Sequence, residues 1–292
     1  MPDTVLDVMR VPASGDPLVA VRPVVGETTK LVECDILVVG GGMGGVAAAW
    51  AAARRDKSVC LLEETDWLGG QITSQGVSAL DEHEHIEGFG GTRTYYALRE
   101  TIRDHYRNLL SVPEDDGPFN PGSSWVSRLA FEPRVALAVL KRLLAPEFES
   151  GRLQVHLRTK ATGATVEGDR VVSIRAMNLD DGVVTEFHAS YVLDATELGD
   201  LLPLTGTEYV VGAESVAETG EPHAQPDETK ANCVQSCTYT FAMERRPSGE
   251  DHRIAEPDKY DHYNRLQPYS LRIHVHGGEI YGEESGWLDY QL

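Results

Sequence analysis

Four short, mostly apolar runs in the first two thirds of the chain have the length of buried strands. They lie at 35–39, 59–63, 153–157 and 190–194. Continuous apolar runs, in contrast to alternating ones, are typical of parallel strands that other layers cover on both faces. The pattern therefore predicts an α/β fold built on a parallel sheet.

The segments between these runs have helical or alternating patterns. Apolar positions recur at helical spacing between Thr92 and Leu110, and again in a segment that begins at Pro133 and is expected to stop before Pro146. Residues 164–177 and 183–188 alternate instead, around an Asp-Asp-Gly turn at 180–182. This second pattern predicts a hairpin that covers one face of the parallel sheet as an antiparallel layer.

A glycine-rich turn follows the first run, where the sequence reads GGGMGG. Gly40, Gly42 and Gly45 form the spacing G-x-G-x-x-G, and Glu63 follows at the end of the next run. In a dinucleotide-binding βαβ unit the first glycine makes the tight turn, the second lets a pyrophosphate approach the backbone, and the third lets the helix pack on the strand. The carboxylate accepts hydrogen bonds from the adenosine ribose and repels a 2′-phosphate, which favours FAD or NAD over NADP.

Charge and composition exclude several classes of partner. A net charge of −20 on 292 residues argues against nucleic acid, which is bound through lysine and arginine, and against an anionic membrane surface. No segment approaches the roughly 20 apolar residues of a membrane span, and the N-terminus does not have the pattern of a secretory signal. We therefore expect a soluble, cytoplasmic protein whose four cysteines do not form a disulfide framework.

Three further segments resemble the FAD-dependent oxidoreductases that have a glutathione-reductase-like FAD-binding fold. WLGGQITSQGV at 67–77 is similar to the glycine segment beneath the flavin, and HLRTKATGATVEGDRVVSIRAM at 156–177 to the strand and hairpin near the adenine. YVLDATELGDLLPLTG at 191–206 is similar to the D-A-T-G-x-G-D strand end that returns beneath the nucleotide. Here Glu197 replaces the glycine after the D-A-T triplet, which adds a negative charge near the phosphates and puts the local turn geometry in question.

The resemblance implies a Rossmann-like FAD-binding domain with a parallel sheet and an antiparallel β-meander, a discontinuous substrate domain, and FAD as the cofactor. NAD alone would not require the second glycine segment or the D-A-T strand. The residues implied in cofactor binding are Gly40, Gly42, Met43, Gly44, Gly45, Glu63, Glu64, Gly69, Gly70, Gln71, Thr73, Ala161, Ala195 and Thr196. The implied reaction is hydride transfer from a small organic substrate to the flavin.

Candidate catalytic groups follow the second glycine segment, in DEHEH at 81–85. His83 or His85 is placed to remove a substrate proton, because histidine titrates near neutral pH. The alternative is a solvated acidic loop with two incidental histidines. A metal site is not expected, since so many ligands within five consecutive loop residues cannot converge on one ion without strain.

The predicted domain organisation is discontinuous. Residues 1–32 form an N-terminal arm, residues 33–91 and 146–211 form the FAD-binding domain, and residues 92–145 and 212–292 form a substrate-facing region. The resemblance ends near residue 290, before the segment that brings a Gly-Asp pair to the flavin in family members. The alternative to a complete oxidoreductase is therefore a truncated chain, or an FAD-binding half or subunit of a split flavoenzyme that a second polypeptide or self-association completes.

Overall fold

A computed structural model of the chain describes residues 28–111, 119–123, 127–235, 240, 255–256, 258–266, 272–275 and 286–289. The chain divides into one unit of residues 1–240 and another of residues 241–292. The strands of the first unit are β1 (Thr28–Val39), β2 (Val59–Leu62), β3 (Leu153–His156), β4 (Thr159–Glu167), β5 (Arg170–Asn178) and β6 (Val184–Asp194). Its helices are α1 (Met43–Ala53), α2 (Arg93–Leu110), α3 (Pro133–Glu149), α4 (Leu201–Thr205) and α5 (Val216–Thr219).

These strands form one six-stranded sheet in the order β3-β2-β1-β6-β5-β4. The first four are mutually parallel, with Val39 opposite both Leu62 of β2 and Asp194 of β6. β5 and β4 then continue the sheet antiparallel to β6. The α/β fold class and the four parallel strands are confirmed.

The two faces of the parallel strands lie in separate apolar clusters, which explains their continuous apolar runs. On one face Val38 and Leu61 pack with residues of α1, α2 and α3. On the other face Leu37 and Cys60 pack with residues of β4, β5 and α4. The meander formed by β4, β5 and the first half of β6 therefore covers this face as an antiparallel layer, as the pattern predicted, and it is also hydrogen-bonded into the same sheet.

Three boundaries differ from the sequence prediction. β1 begins at Thr28 and so includes residues 28–32, which were expected in the arm; residues 1–27 lie outside the described residues. The turn at 180–182 is confirmed, but the segment 164–177 is divided between β4 and β5, and β6 runs unbroken to Asp194. β1 and β6 pair along their whole length, and this pairing maintains β1 through residues 28–32, which had not suggested a strand.

Helix α2 matches its predicted bounds, and α3 does not. The hydroxyl of Thr92 accepts a hydrogen bond from the amide of Tyr95 and caps the start of α2. α3 begins at Pro133 as predicted but continues through Pro146 to Glu149. The carboxylate of Glu147, buried in this last turn, accepts a hydrogen bond of 2.8 Å from Arg152, which offsets part of the cost of an internal proline.

The second unit contributes a helix, α6 (Tyr260–Leu266), and an antiparallel pair formed by β7 (Arg272–Val275) and β8 (Gly286–Asp289). Among the described parts of both units, no helix has the length and apolar character needed to cross a membrane.

Candidate functional site

The glycine turn after β1 is packed so closely that two of its glycines cannot carry a side chain. Gly40 has a φ of +100°, and a Cβ built on it would lie 2.2 Å from the carbonyl oxygen of Ala195. A Cβ on Gly45 would lie 1.9 Å from the carbonyl oxygen of Gly40. Gly40 thus makes the tight turn, and Gly45 allows α1 to approach the strand.

Glu63 follows β2 directly, and its buried carboxylate is bound to two backbone amides. The amide of Gly41 donates to Oε2 over 2.8 Å, and the amide of Thr65 donates to Oε1 over 2.8 Å. The side chain therefore ties the glycine turn to the end of β2. Each carboxylate oxygen can accept more than one hydrogen bond, so Glu63 still has acceptor capacity for a ribose hydroxyl.

A cavity of about 370 Å³ lies where β1, β2 and β6 reach their carboxyl ends. In open parallel sheets ligands bind in this position, at the point where the strand order reverses. Eight of the predicted cofactor residues line it, and they come from five separate segments of the chain. They are Gly40, Gly42, Glu63, Glu64, Gly70, Ala161, Ala195 and Thr196.

The other predicted cofactor residues do not line this cavity. Met43, Gly44 and Gly45 lie in the first turn of α1. Gly69 contacts the glycine turn through its amide, which donates to the carbonyl of Gly41 over 2.8 Å. Gln71 is exposed. Thr73 is buried and lines a neighbouring open cleft of about 570 Å³ with Trp67, Glu132, Pro133 and Arg134.

Lys160 was not predicted, yet it lies in the wall of the cavity. Its ammonium group pairs with Glu64 and, over 3.4 Å, with Asp200. Burial opposes the charge, but these two carboxylates outweigh burial and raise the pKa of Lys160. A lysine directly before Ala161, in the half of β4 that is mostly buried, was the available signal in the sequence.

The turn after β6 brings Ala195 and Thr196 beneath the glycine turn. Oδ1 of Asp194 accepts from the amide and the hydroxyl of Thr196, at 3.0 and 2.7 Å, and Oδ2 accepts from the amide of Leu201 at 3.0 Å. The amide of Ala195 donates to Val39 over 2.7 Å. The turn therefore keeps its close approach to Gly40 without a glycine at position 197.

Glu197 extends from this turn over the glycine turn. Its Oε1 lies 2.9 Å from the point that a Cβ of Gly42 would occupy, and 2.9 Å from the corresponding point of Gly70. The carboxylate thus lies against both glycine segments and lines the cavity.

The structure places His83 and His85 together on an exposed loop. Their ring centroids are 6.2 Å apart, and the ring of His85 stacks on Phe89 at 5.4 Å. Neither histidine lines the cavity or the neighbouring cleft. Their catalytic role therefore stays a prediction.

A buried ionic network anchors this loop to α2. The guanidinium of Arg99 donates to Oε1 and Oε2 of Glu82 over 2.7 and 3.0 Å, and to Glu87 over 2.7 Å. The side chains of Arg99 and Glu82 are each 2% exposed. Burial opposes the charge of Arg99, but the two carboxylates outweigh it and raise the pKa of the guanidinium. The network holds the ends of segment 82–87, and with it both histidines, against the helix.

No group of three or more His, Cys, Asp or Glu side chains within the described ranges is arranged to hold a metal ion.

Comparison with known proteins identifies one family. The family described as FAD dependent oxidoreductase matches residues 35–282. Digeranylgeranylglycerophospholipid reductase 2 of Methanococcoides burtonii is 27% identical over 223 residues, which are 74% of this chain and 50% of that protein. Carotenoid phi-ring synthase of Chlorobaculum tepidum is 41% identical over 66 residues, which are 22% of this chain and 10% of that protein. The chain thus spans between a tenth and a half of the length of the curated relatives it matches.

Among solved structures, adenylylsulfate reductase of Archaeoglobus fulgidus matches with a TM-score of 0.39 and 18% identity, over 64% of this chain and 33% of that one. The myxobacterial chondrochloren halogenase, a variant of FAD-dependent halogenases, matches with a TM-score of 0.35 and 20% identity, over 56% and 37%.

Proposed function

The chain belongs to the FAD-dependent oxidoreductase family with FAD as its cofactor, and we propose that it binds FAD in the cavity at the glycine turn and transfers a hydride to it from a small organic substrate. The observation that carries this proposal is the meeting of five chain segments around one cavity. The glycine turn, the end of β2, the second glycine segment, the start of β4 and the turn after β6 all contribute lining residues.

The residues present fit the nucleotide half of FAD. The first amides of α1 supply N–H donors and the positive end of the helix dipole, which favour a pyrophosphate. Gly42 has no side chain between these amides and the cavity, and a Cβ there would fill the space that separates it from Glu197. Glu63 is the acceptor for ribose hydroxyls, and the backbone of Ala161 is the contact for adenine.

The volume of the cavity is sufficient to enclose only a part of FAD. At about 370 Å³ it lies near the lower end of the roughly 300–1,000 Å³ that is usual for small-molecule sites. We infer that it encloses the adenosine diphosphate part, while the flavin part extends along the glycine segment 69–76 towards the cleft lined by Thr73 and Arg134.

When bound, FAD accepts the hydride through its flavin ring, and the protein positions the reactants. The chain contributes the buried wall formed by Leu68, Ile72 and Thr73, which excludes water from one side of the glycine segment. Arg134, at the start of α3, is an exposed cation beside the cleft and would hold an anionic group of a substrate. His83 and His85 are the proposed bases, on a loop whose ends the Arg99 network fixes.

A titration of the purified protein with FAD, followed by quenching of flavin fluorescence, tests the cofactor site, with NAD as the competing dinucleotide. Gly42→Asp should abolish FAD binding, because φ at this position is −62° and an aspartate there keeps the backbone while placing a charge in the cavity. Ala47→Asp, on an exposed position of the same helix, is the matched control and should bind FAD normally. Tight binding of NAD without FAD, or normal FAD binding by Gly42→Asp, would refute the proposal.

The reaction is tested separately. Anaerobic addition of candidate alcohols, amines and saturated carbonyl compounds to the FAD-loaded protein should bleach the flavin absorption near the visible maximum for a true substrate.

A further inference from the structure

Glu197 is the acidic group nearest to the glycine turn that the proposed function does not use. Its Oε1 lies 2.9 Å from the Cβ positions built on both Gly42 and Gly70, so the carboxylate lies between the two glycine segments. Gly42 is also the N-cap residue of α1. The carboxylate therefore lies at the end of the helix where the first amides point.

No acidic residue within α1 itself lies at the start of the helix. Gly42 supplies no side-chain cap, and the first turn contains no acidic residue. An anion at a helix N-terminus is stabilised by the free N–H groups and by the helix dipole. Glu197, which comes from the turn after β6, provides that negative charge from outside the helix.

The other charged groups of the cavity are already paired. Glu63 accepts hydrogen bonds from two backbone amides, and Lys160 bridges Glu64 and Asp200. Among the described residues, Glu197 has neither a hydrogen bond nor an ion pair. Its charge is therefore not neutralised by a cation. Glu197 is exposed, so solvent and salt screen this charge in part, and the remainder acts on any anion that approaches the turn.

We propose that Glu197 is an internal competitor that sets the affinity for FAD: its carboxylate and the cofactor's pyrophosphate compete for the N-terminus of α1. The inference rests on the proposed FAD site and adds to it a determinant of affinity. Binding of FAD then requires the Glu197 side chain to turn away from Gly42 and Gly70. The position after Thr196, where a glycine is usual in the resembling motif, is thereby a point at which cofactor affinity is lowered.

Three ligands separate this effect from a general change of the site. FAD and ADP both carry the pyrophosphate, whereas adenosine occupies the same nucleotide pocket without any phosphate. Glu197→Gln removes the charge and keeps the shape of the side chain. Glu208→Gln, at an exposed position outside the cavity, removes the same charge from the chain and is the matched control.

We expect Glu197→Gln to bind FAD and ADP about tenfold more tightly than the wild type, which corresponds to about 1.4 kcal/mol, when binding is measured by calorimetry at low ionic strength. Its affinity for adenosine should stay within about twofold, and Glu208→Gln should match the wild type for all three ligands. The thermal midpoint of the ligand-free Glu197→Gln protein should fall slightly, because the start of α1 loses its anion.

Equal or weaker binding of ADP by Glu197→Gln, with normal FAD binding by the wild type, would overturn the inference and leave the proposed function intact. An equal gain for adenosine would also overturn it, because that gain would come from packing and not from charge. Failure of both proteins to bind FAD and ADP would refute the proposed cofactor site itself, and the inference with it.

Discussion

Replacement of Arg99 by methionine tests how strongly the ionic network supports the loop that carries His83 and His85. The substitution removes three charge-assisted hydrogen bonds, two to Glu82 and one to Glu87, and retains an apolar side chain of similar length. It leaves the carboxylate of Glu82, which is 2% exposed, without its cation.

The magnitude follows from burial. Removing one partner of a buried ion pair costs about 3–5 kcal/mol, since the remaining charge is left desolvated. The hydroxyl of Tyr95 still donates to Glu82 over 2.6 Å, so we expect a loss near the lower limit, about 3 kcal/mol. The double variant Arg99→Met with Glu82→Met should recover at least about 2 kcal/mol of this loss, because it leaves no isolated carboxylate at that position.

Urea denaturation followed by far-UV circular dichroism measures these differences. Arg107→Met is the matched control: its partners Glu100 and Asp104 are about half exposed, and exposed pairs contribute roughly 0–1 kcal/mol. A loss below about 1 kcal/mol for Arg99→Met, or a double variant less stable than the single one, would show that the network does not stabilise the fold in the way that its burial indicates.

Three further predictions concern other parts of the molecule. Gly45→Ala should prevent tight packing of α1 on the glycine turn, since the added Cβ would lie 1.9 Å from a backbone oxygen. The free energy of unfolding should fall by at least about 2 kcal/mol in the same urea assay. A smaller loss would contradict the close approach of α1 to this turn. Burial alone would raise the pKa of Glu87, but two arginines lower this pKa below its ordinary value of 4.5. The carboxylate therefore contributes fully to stability above pH 4.5, and this contribution is lost as the pH falls further. Glu87→Gln should accordingly lose less stability than the wild type on acidification from about pH 5 to about pH 3, and parallel stability curves would be evidence against this linkage. Lys160→Met should weaken FAD binding at least tenfold in a fluorescence titration, because the substitution leaves two unneutralised carboxylates at the cavity. The control Arg158→Met, which removes a largely exposed ion pair with Asp180, should bind FAD normally. Equal binding by both variants would exclude an electrostatic role for Lys160.

The parallel core could be predicted because strands that are buried on both faces have apolar side chains at every position. Ile36 to Val39 and Val59 to Leu62 are apolar at every position, and each of these strands packs on both faces. The first part of β1 could not be predicted in this way. Residues 28 and 30–33 are exposed or half-buried, and this part of the chain forms a strand because its backbone pairs with that of β6. Such pairing between distant segments leaves no pattern in either segment alone.

The same distinction between local sequence pattern and long-range contact separates the site residues that could be predicted from those that could not. The glycine turn and Glu63 are consecutive features of one βαβ unit, so spacing identified them. Lys160 and Asp200 were missed because the topology brings them together. The amide of Thr159 donates to the carbonyl of Glu63 over 2.8 Å, which places the start of β4 beside the end of β2, and the Asp194 turn places Asp200 opposite. Neither contact is visible until the order of the strands is known.

The distribution of charge around the cavity explains how an acidic chain can bind an anionic cofactor. Four carboxylates line the cavity, those of Glu63, Glu64, Glu197 and Asp200, and Lys160 is the single cation among the described lining residues. Three of the four are already bound, to backbone amides or to Lys160. The field that a pyrophosphate meets is therefore set by the N-terminus of α1, which attracts it, and by Glu197, which repels it. Affinity for FAD should accordingly depend on these two elements far more than on the net charge of −20, most of which lies outside the cavity and is screened by salt.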